Sequence, residues 1–429
     1  MIFEILRFLS TFDMLAILIE IGICSIWIII FTQTFFSYRS HLANKKKNSK
    51  VQLKISKNIP TISVIIPARN EEQNIERCLL SLLSQNYPYY EVILIDDNSD
   101  DKTVQKARIM QRKFIAKFRE LKIIELKSKP EDWTGKTWAS EKGLLSSRNN
   151  LLLFLDADCY YKEDCISFAV SHMINHELDV LTGYPLFELK DFWSKITMPL
   201  WKLMSFTFQD DAEQVNDPNS KVAYLMGCFF MVKKQVLLEI GSFACVKNAL
   251  QEDKELGQRL KNSGFKVNMV QMESSILALW SRNLSTLWHG LARTISPMML
   301  IQERKILVNF FSIFVLSVVP PILAVLSFAL SIQAQIPIDT ALSSYLHWIS
   351  FAMYLLIYVL ATCCVIMKLV NMCKIFPGYA LLFPVGGFFL TLVYLATMLP
   401  LILSIKNSSK NIEWKGRIYT YNRIGGKMI

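Results

Sequence analysis

Hydrophobic and polar positions divide the 429-residue chain into three regimes. Residues 14–36 are an apolar run broken by one acid, Glu20. About 20 such residues cross a bilayer as a helix. From residue 61, short apolar runs alternate with amphipathic ones. The runs at 62–66, 90–95 and 122–126 predict strands, and 74–83, 103–117 and 133–147 predict helices. Residues 151–155, all apolar, predict a short buried strand. Further strands are predicted over 178–185 and 224–232. Strand, helix, strand at this rhythm means an α/β domain with a parallel sheet and right-handed crossovers.

The third regime mixes membrane-surface and membrane-spanning patterns. Residues 191–208 predict an aromatic-rich amphipathic helix at the membrane surface, and 209–220 a mobile polar loop. A helix is predicted from 250 to 261, capped by Ser263-Gly264. Residues 283–300 carry Leu284, Leu287, Trp288, Leu291 and Ile295 at helical spacing and predict an interfacial helix. Apolar segments at about 306–332, 346–370 and 376–405 predict three more spans. Pro320-Pro321, Pro384 and Pro400 predict kinks, which neighbouring helices must satisfy.

The expected organisation is an anchor at 1–37, a basic linker at 38–60 and a catalytic domain at 61–280. An interfacial helix at 281–305, membrane segments at 306–405 and a basic tail at 406–429 follow. Composition agrees: 52% hydrophobic residues exceed a soluble enzyme, and 19% charged residues exceed a bare membrane bundle. The formal charge of +11 lies mostly beside apolar segments, so membrane lipids are the expected partners and nucleic acid is not. Arg39, Lys45, Lys46, Lys47, Lys50, Lys54 and Lys57 follow the first span without an acid, which places the next domain in the cytoplasm of a multi-pass protein. Three crossings after that domain put the tail outside, while its Lys and Arg content argues for inside. A re-entrant segment would reconcile the two.

Nine cysteines lack any Cys-x-x-Cys pair, so a zinc ribbon is not expected. His172 and His176 are spaced i, i+4, but the Glu of a His-Glu-x-x-His site is missing. The chemistry concentrates instead at Asp156-Ala157-Asp158. Carboxylates at i, i+2 after a strand share one face at its carboxyl end, where α/β sheets bind ligands. A divalent cation holding a diphosphate would relieve their repulsion.

Four motifs in order then carry a resemblance: Pro67-Ala68-Arg69-Asn70-Glu71-Glu72, the run Asp96 to Asp101, Asp156-Ala157-Asp158, and Glu252-Asp253. The chain resembles the inverting family two glycosyltransferases of the GT-A fold, a Rossmann-like, mostly parallel sheet. Trp133-Thr134-Gly135-Lys136 and the tail Trp414-Lys415-Gly416-Arg417-Ile418-Tyr419 look like the membrane branch with hopene-associated and carotenoid-type enzymes. The resemblance implies that Ala68, Glu71 and Asp97 hold the nucleotide of a nucleotide-sugar, a UDP-sugar. It implies Lys136 along the diphosphate, Asp156 and Asp158 on Mg²⁺ or Mn²⁺, and Asp253 as general base supported by Glu252. His289 and Arg293 are expected to reach the diphosphate or the acceptor. The acceptor implied is a lipid or other hydrophobic molecule.

Blander readings compete at each residue. Glu71 and Asp253 could be first-turn helix acids, and Asp96 and Asn98 turn formers. The Gln-x-x-Arg-Trp motif of processive synthases is absent, with Trp288-His289-Gly290-Leu291-Ala292-Arg293 nearest to it, which favours single transfer. Processive polymerisation stays open, as does a scaffold or transporter with a degenerate nucleotide-binding domain.

Overall fold

The computed structural model describes residues 11–48, 59–117, 119–208, 212–249, 251–301, 303–333, 341–403, 409–414 and 416–422. Helix α1 (Thr11–Asn48) precedes an α/β unit built from β1 (Ile62–Ala68), α2 (Ile75–Leu83), β2 (Tyr90–Asp96), α3 (Thr103–Ala116), β3 (Glu120–Glu125), α4 (Gly135–Ser146) and β4 (Leu151–Leu155). Then come β5 (Cys159–Tyr161), α5 (Cys165–Asn175), β6 (Val180–Tyr184), β7 (Leu186–Leu189), α6 (Phe192–Phe208), α7 (Ala212–Asn216), β8 (Phe229–Lys233) and α8 (Lys234–Glu239). Next are α9 (Glu252–Asn262), β9 (Val267–Gln271), β10 (Ile276–Ser281) and α10 (Leu284–Ile301). The chain continues through α11 (Glu303–Ile313), a π-helical turn (Phe314–Val318), α12 (Val319–Gln333), α13 (Ala341–Met372), α14 (Phe383–Leu403), β11 (Ser409–Trp414) and β12 (Arg417–Asn422). Lys50, Lys54 and Lys57 of the basic linker, Leu250 and Lys415 lie outside the described residues.

The main sheet has the order β3-β2-β1-β4-β8-β6-β9. It is the expected mostly parallel arrangement, with β8 alone reversed. Strands β1, β2 and β4 are buried almost throughout because helices cover both faces, which is why they read as unbroken apolar runs. Their register places Ala68 beside Asp96 and ends β4 just before Asp156. The antiparallel β8 starts where β4 stops, with Phe229 facing Leu155. That reversal carries Gly227 and Cys228 to the edge where the parallel strands end.

Several elements depart from the sequence pattern. β5, β7, β9 and β10 escape it because they are short and lack clean alternation; β5, β10 and β7 form a second small sheet. The strand expected over 224–232 begins only at Phe229. The loop expected over 209–220 contains α7, whose Asn216 accepts from Met269 N (2.6 Å) and donates to Met269 O (2.9 Å). An amide side chain thereby completes the outer edge of β9, and the described part of that loop is held in place. Residues 209–211 lie outside the described residues.

Among the described residues, four helical segments are long and apolar enough to cross a membrane: Leu15–Ser40, Arg304–Ile332, Tyr345–Val370 and Pro377–Leu399. The double proline explains one contact between them. Pro320 and Pro321 carry no N–H, so neither an i+4 nor an i+5 bond can satisfy the Leu316 carbonyl. Trp27 Nε1 of α1, fully buried, donates to it at 3.1 Å. Glu20 is likewise buried, and Ser350 Oγ of α13 donates to its Oε2 at 2.9 Å. Gly386 and Gly387 of α14 let it lie against α6 and the π turn: a Cβ on either would strike the Ile196 carbonyl or Ser317. Helix α6, expected at the membrane surface, therefore spends its Ile196, Leu200 and Leu203 on protein contacts.

The tail packs against the α/β unit. Arg417 of β12 pairs with Asp97 at the end of β2, 320 residues away. Three full crossings between β10 and β11 would separate these residues by a bilayer.

Candidate active site

The loops after β1 and β2 interlock, and most of their polar residues have structural tasks. Asp96 Oδ1 and Oδ2 accept from Ser99 Oγ (2.5 Å) and N (3.0 Å). Asp101 accepts from Glu72 N and Thr103 N at 3.0 and 2.9 Å. Asn70 and Asn98 sit at positive φ, +52° and +56°, where asparagine is tolerated. Arg69 Nη1 donates to the Asp97 carbonyl at 2.6 Å. The turn-forming reading thus holds for Asp96 and Asn98.

Asp97 and Glu71 are different, since both are buried yet line a cleft. Asp97 N donates to the Ala68 carbonyl at 2.8 Å, bringing both expected nucleotide contacts together. Asp97 Oδ2 pairs with Arg417, while its buried Oδ1 has no hydrogen-bond partner among the described residues. Burial pushes the Asp97 carboxyl up, against the pull of the Arg417 guanidinium. A buried, unfilled acceptor at a cleft wall suits a ligand N–H or O–H. Glu71 Oε2 accepts from Asn74 Nδ2 at 2.6 Å.

The cleft has a volume of ≈ 440 Å³. At its centre Thr134 caps α4, its hydroxyl accepting from Thr137 N at 3.2 Å, and the first turn presents Lys136. Lys136 Nζ lies 2.9 Å from Asp156 Oδ1 and 3.2 Å from Glu252 Oε1. Burial alone would lower its pKa; Asp156, Glu252 and Asp253 outweigh that and hold it well above the usual lysine value. Asp253 opens α9, anchored where Leu225 N donates to the Asp253 carbonyl at 3.2 Å. Burial, then the Glu252 charge, push the Asp253 carboxyl up to about 6, with Lys136 opposing them.

Gly227 makes this gathering possible. A Cβ there would stand 2.9 Å from Lys136 Nζ and 3.3 Å from Asp253 Oδ2. Asp158 lines the same cleft as Asp156. Among the described residues no three His, Cys, Asp or Glu side chains converge on one point. Asp156, paired with Lys136, and Asp158, reached by Cys159 Sγ at 3.4 Å, are the carboxylates that would hold Mg²⁺ or Mn²⁺ taking the rest of its shell from phosphate and water. His172 and His176 have ring centroids 4.3 Å apart with planes tilted by 38°, away from the cleft.

Ala68, Glu71, Asp97, Lys136, Asp156, Asp158, Glu252, Asp253 and Arg293 all line the cleft. His289 is exposed on α10 and does not line it. Gly227, Lys202 and Trp280 line it without having been singled out by motif, and Tyr419 joins them from the tail. The only sequence signal for Tyr419 and Arg417 was their tail motif, which has no strand-end context of its own.

An acidic pair at the end of β4, a lysine at the start of a helix and a carboxylate at the mouth of α9 thus share one cleft. Residues 63–241 match the family described as Glycosyl transferase family 2.

That likeness covers less than half of the chain.

Named relatives agree with a family 2 domain. The chain is 29% identical over 187 residues to glycosyltransferase AglE of Haloferax volcanii, covering 43% of this chain and 56% of the relative. It is 38% identical over 98 residues to a 4,4'-diaponeurosporenoate glycosyltransferase of Staphylococcus haemolyticus, 23% of this chain and 24% of that one. It is 33% identical over 129 residues to a dodecaprenyl-phosphate galacturonate synthase of Rhizobium johnstonii, 29% of this chain and 35% of that one. In each case the chain spans less than two thirds of the relative's length. The family 2 match ends at residue 241, so Asp253, the membrane segments and the tail lie beyond it.

Proposed function

We propose that this protein transfers one sugar from a UDP-sugar to a lipid acceptor, inverting the anomeric carbon. The observation that carries the reading is the convergence of Lys136, Asp156, Glu252 and Asp253 around Gly227. Glu71, Asp97 and the Ala68 backbone bind the nucleotide, with Asp97 Oδ1 as the waiting acceptor. An acceptor hydroxyl attacks the anomeric carbon from the side of Asp253. Its proton passes to the Asp253 carboxylate, supported by Glu252, and the bond to the diphosphate breaks. The electron pair leaves on the nucleoside diphosphate, which Lys136 meets as a point charge. Mg²⁺ or Mn²⁺ held by Asp156 and Asp158 would neutralise the same leaving group. Relatives named for a diaponeurosporenoate and a dodecaprenyl-phosphate substrate support a lipid acceptor.

The catalytic domain faces the cytoplasm in this reading, because Arg39 and the lysines after it follow the first span. Helix α14 is the segment that does not add a crossing: 56% of its apolar window is buried in protein, against 28–33% for the other three. Protease added to sealed cells should then spare both the family 2 domain and the tail. Cleavage of either in intact cells overturns the orientation. The activity is tested with purified full-length protein, labelled nucleotide-sugars and a lipid extract. Label should enter the organic phase with wild type and not with Asp253→Asn. Equal labelling by the two proteins would remove the mechanism.

A further inference from the structure

The cleft has two chemically different ends. The donor end is made by the loops after β1, β2 and β4 and carries the carboxylates. The other end is made by β7, α6, β10 and α10, of which α6 and α10 pack against α14. Its wall includes Phe187, Lys202, Trp280, Arg293 and Thr294. The Lys202 ammonium stands inside a ring of aromatic side chains, 4.4 Å from the Phe187 centroid, 5.3 Å from Trp201, 5.4 Å from Tyr184 and 5.8 Å from Trp280. Arg293 adds a second cation to the same wall, one helix away. Two cations on an aromatic wall beside membrane-packed helices form a distinct surface for a ligand with an apolar body and a charged head.

We propose that this end of the cleft is a head-group subsite for an anionic lipid acceptor, with Lys202 and Arg293 holding its phosphate or carboxylate. The proposal rests on the transferase reading above and names the acceptor's chemistry. Charge segregation supports it. A second anion beside Glu252 and Asp253 would be repelled, whereas a neutral hydroxyl there would be served by Asp253. The acceptor therefore places its anion at the cationic end and its reacting hydroxyl at the acidic end. The aromatic rings stabilise the lysine cation through their faces, while burial lowers its pKa to about 8. An arriving anion would favour the charged form and draw that value back up.

The test is binding, so that it does not depend on catalysis. Farnesyl phosphate, farnesoic acid and farnesol are titrated into the full-length protein in neutral detergent, with intrinsic tryptophan fluorescence as readout. Both acids should bind at least about tenfold tighter than the alcohol at pH 7. Lys202→Met and Arg293→Gln should each remove most of that preference, and Lys202→Arg should keep it. Unchanged UDP affinity in each variant shows that the donor end is intact. Preference for one acid alone identifies the head group and supports the subsite. Equal binding of acid and alcohol, or a preference that survives both neutral substitutions, overturns it. Selective acid binding by a protein that transfers no sugar would sink the transferase reading and leave the anion subsite standing.

Discussion

Arg417 and Asp97, 320 residues apart, form an ion pair where β2 ends at the cleft. Tyr419 supports the contact from the same strand, its hydroxyl accepting from Gly135 N at 3.2 Å. The tail hairpin is thus part of the cleft wall. Removing one partner of a buried pair costs more than removing both, because the survivor keeps its desolvation penalty. Arg417→Ala should lower the melting temperature of the purified protein. Adding Asp97→Asn should recover part of that loss, since the amide needs no counter-charge. A double variant less stable than either single one would show that the pair is not what holds the tail.

Activity should depend on pH through Asp253. Its carboxyl is pushed up to about 6 by burial and Glu252, and only the deprotonated form accepts a proton. The transfer rate should rise with pH through that value and level off above it. Lys136 lowers the Asp253 pKa, so Lys136→Met should move the acid limb upward as well as reduce the rate. Asp253→Asn should cost about 10²–10⁴-fold in rate with UDP affinity preserved. A pH-rate profile of wild type and Lys136→Met checks the sign. An acid limb that stays in place would remove the coupling.

Divalent metal should be required. Asp156 and Asp158 offer two carboxylates, and a diphosphate leaving group develops charge that a cation stabilises by several kcal/mol. Chelator should abolish transfer, and Mg²⁺ or Mn²⁺ should restore it. Asp158→Asn should raise the metal concentration needed for half-maximal rate while the melting temperature stays close to wild type. Full turnover in excess chelator would defeat the assignment.

Gly227→Ala tests the packing of the centre. The added methyl would lie 2.9 Å from Lys136 Nζ, which Asp156 and Glu252 already hold. Displacement of about 1 Å in a catalytic group can cost about 10²-fold in rate. A large fall in rate with a normal melting curve is expected. Unchanged turnover would mean that the cluster has slack.

Trp27→Phe should destabilise the membrane part. The Leu316 carbonyl, unpairable within its own helix, would lose its donor. A buried polar group left unmet costs about 1–3 kcal/mol. Thermal unfolding in detergent measures the loss, and Trp27→His, which keeps a ring N–H, should restore part of it. Equal stability of wild type and Trp27→Phe would mean that another group reaches the carbonyl.

What the sequence determined by itself was local and periodic. Five apolar residues before Asp156, strand-end loops rich in Asp and Asn, and a capped helix at Gly135 all encode their geometry within a few residues. Those signals placed Ala68, Glu71, Asp97, Lys136, Asp156 and Asp158 at one sheet edge. They also showed long apolar stretches, because length against bilayer thickness needs no partner. Only the tertiary structure decided the rest. Gly227 matters because an antiparallel strand returns it to Lys136, and nothing in its neighbours says so. Lys202 lies in a helix whose pattern reads as a membrane surface, yet its ammonium is enclosed by rings from β6, β7 and β10 as well as its own helix. That the tail belongs to the cleft wall followed from contacts across 320 residues, Arg417 on Asp97 and Tyr419 on Gly135, which no local pattern announces. Local pattern records which face of an element is apolar; which distant element meets that face is decided only when the chain packs.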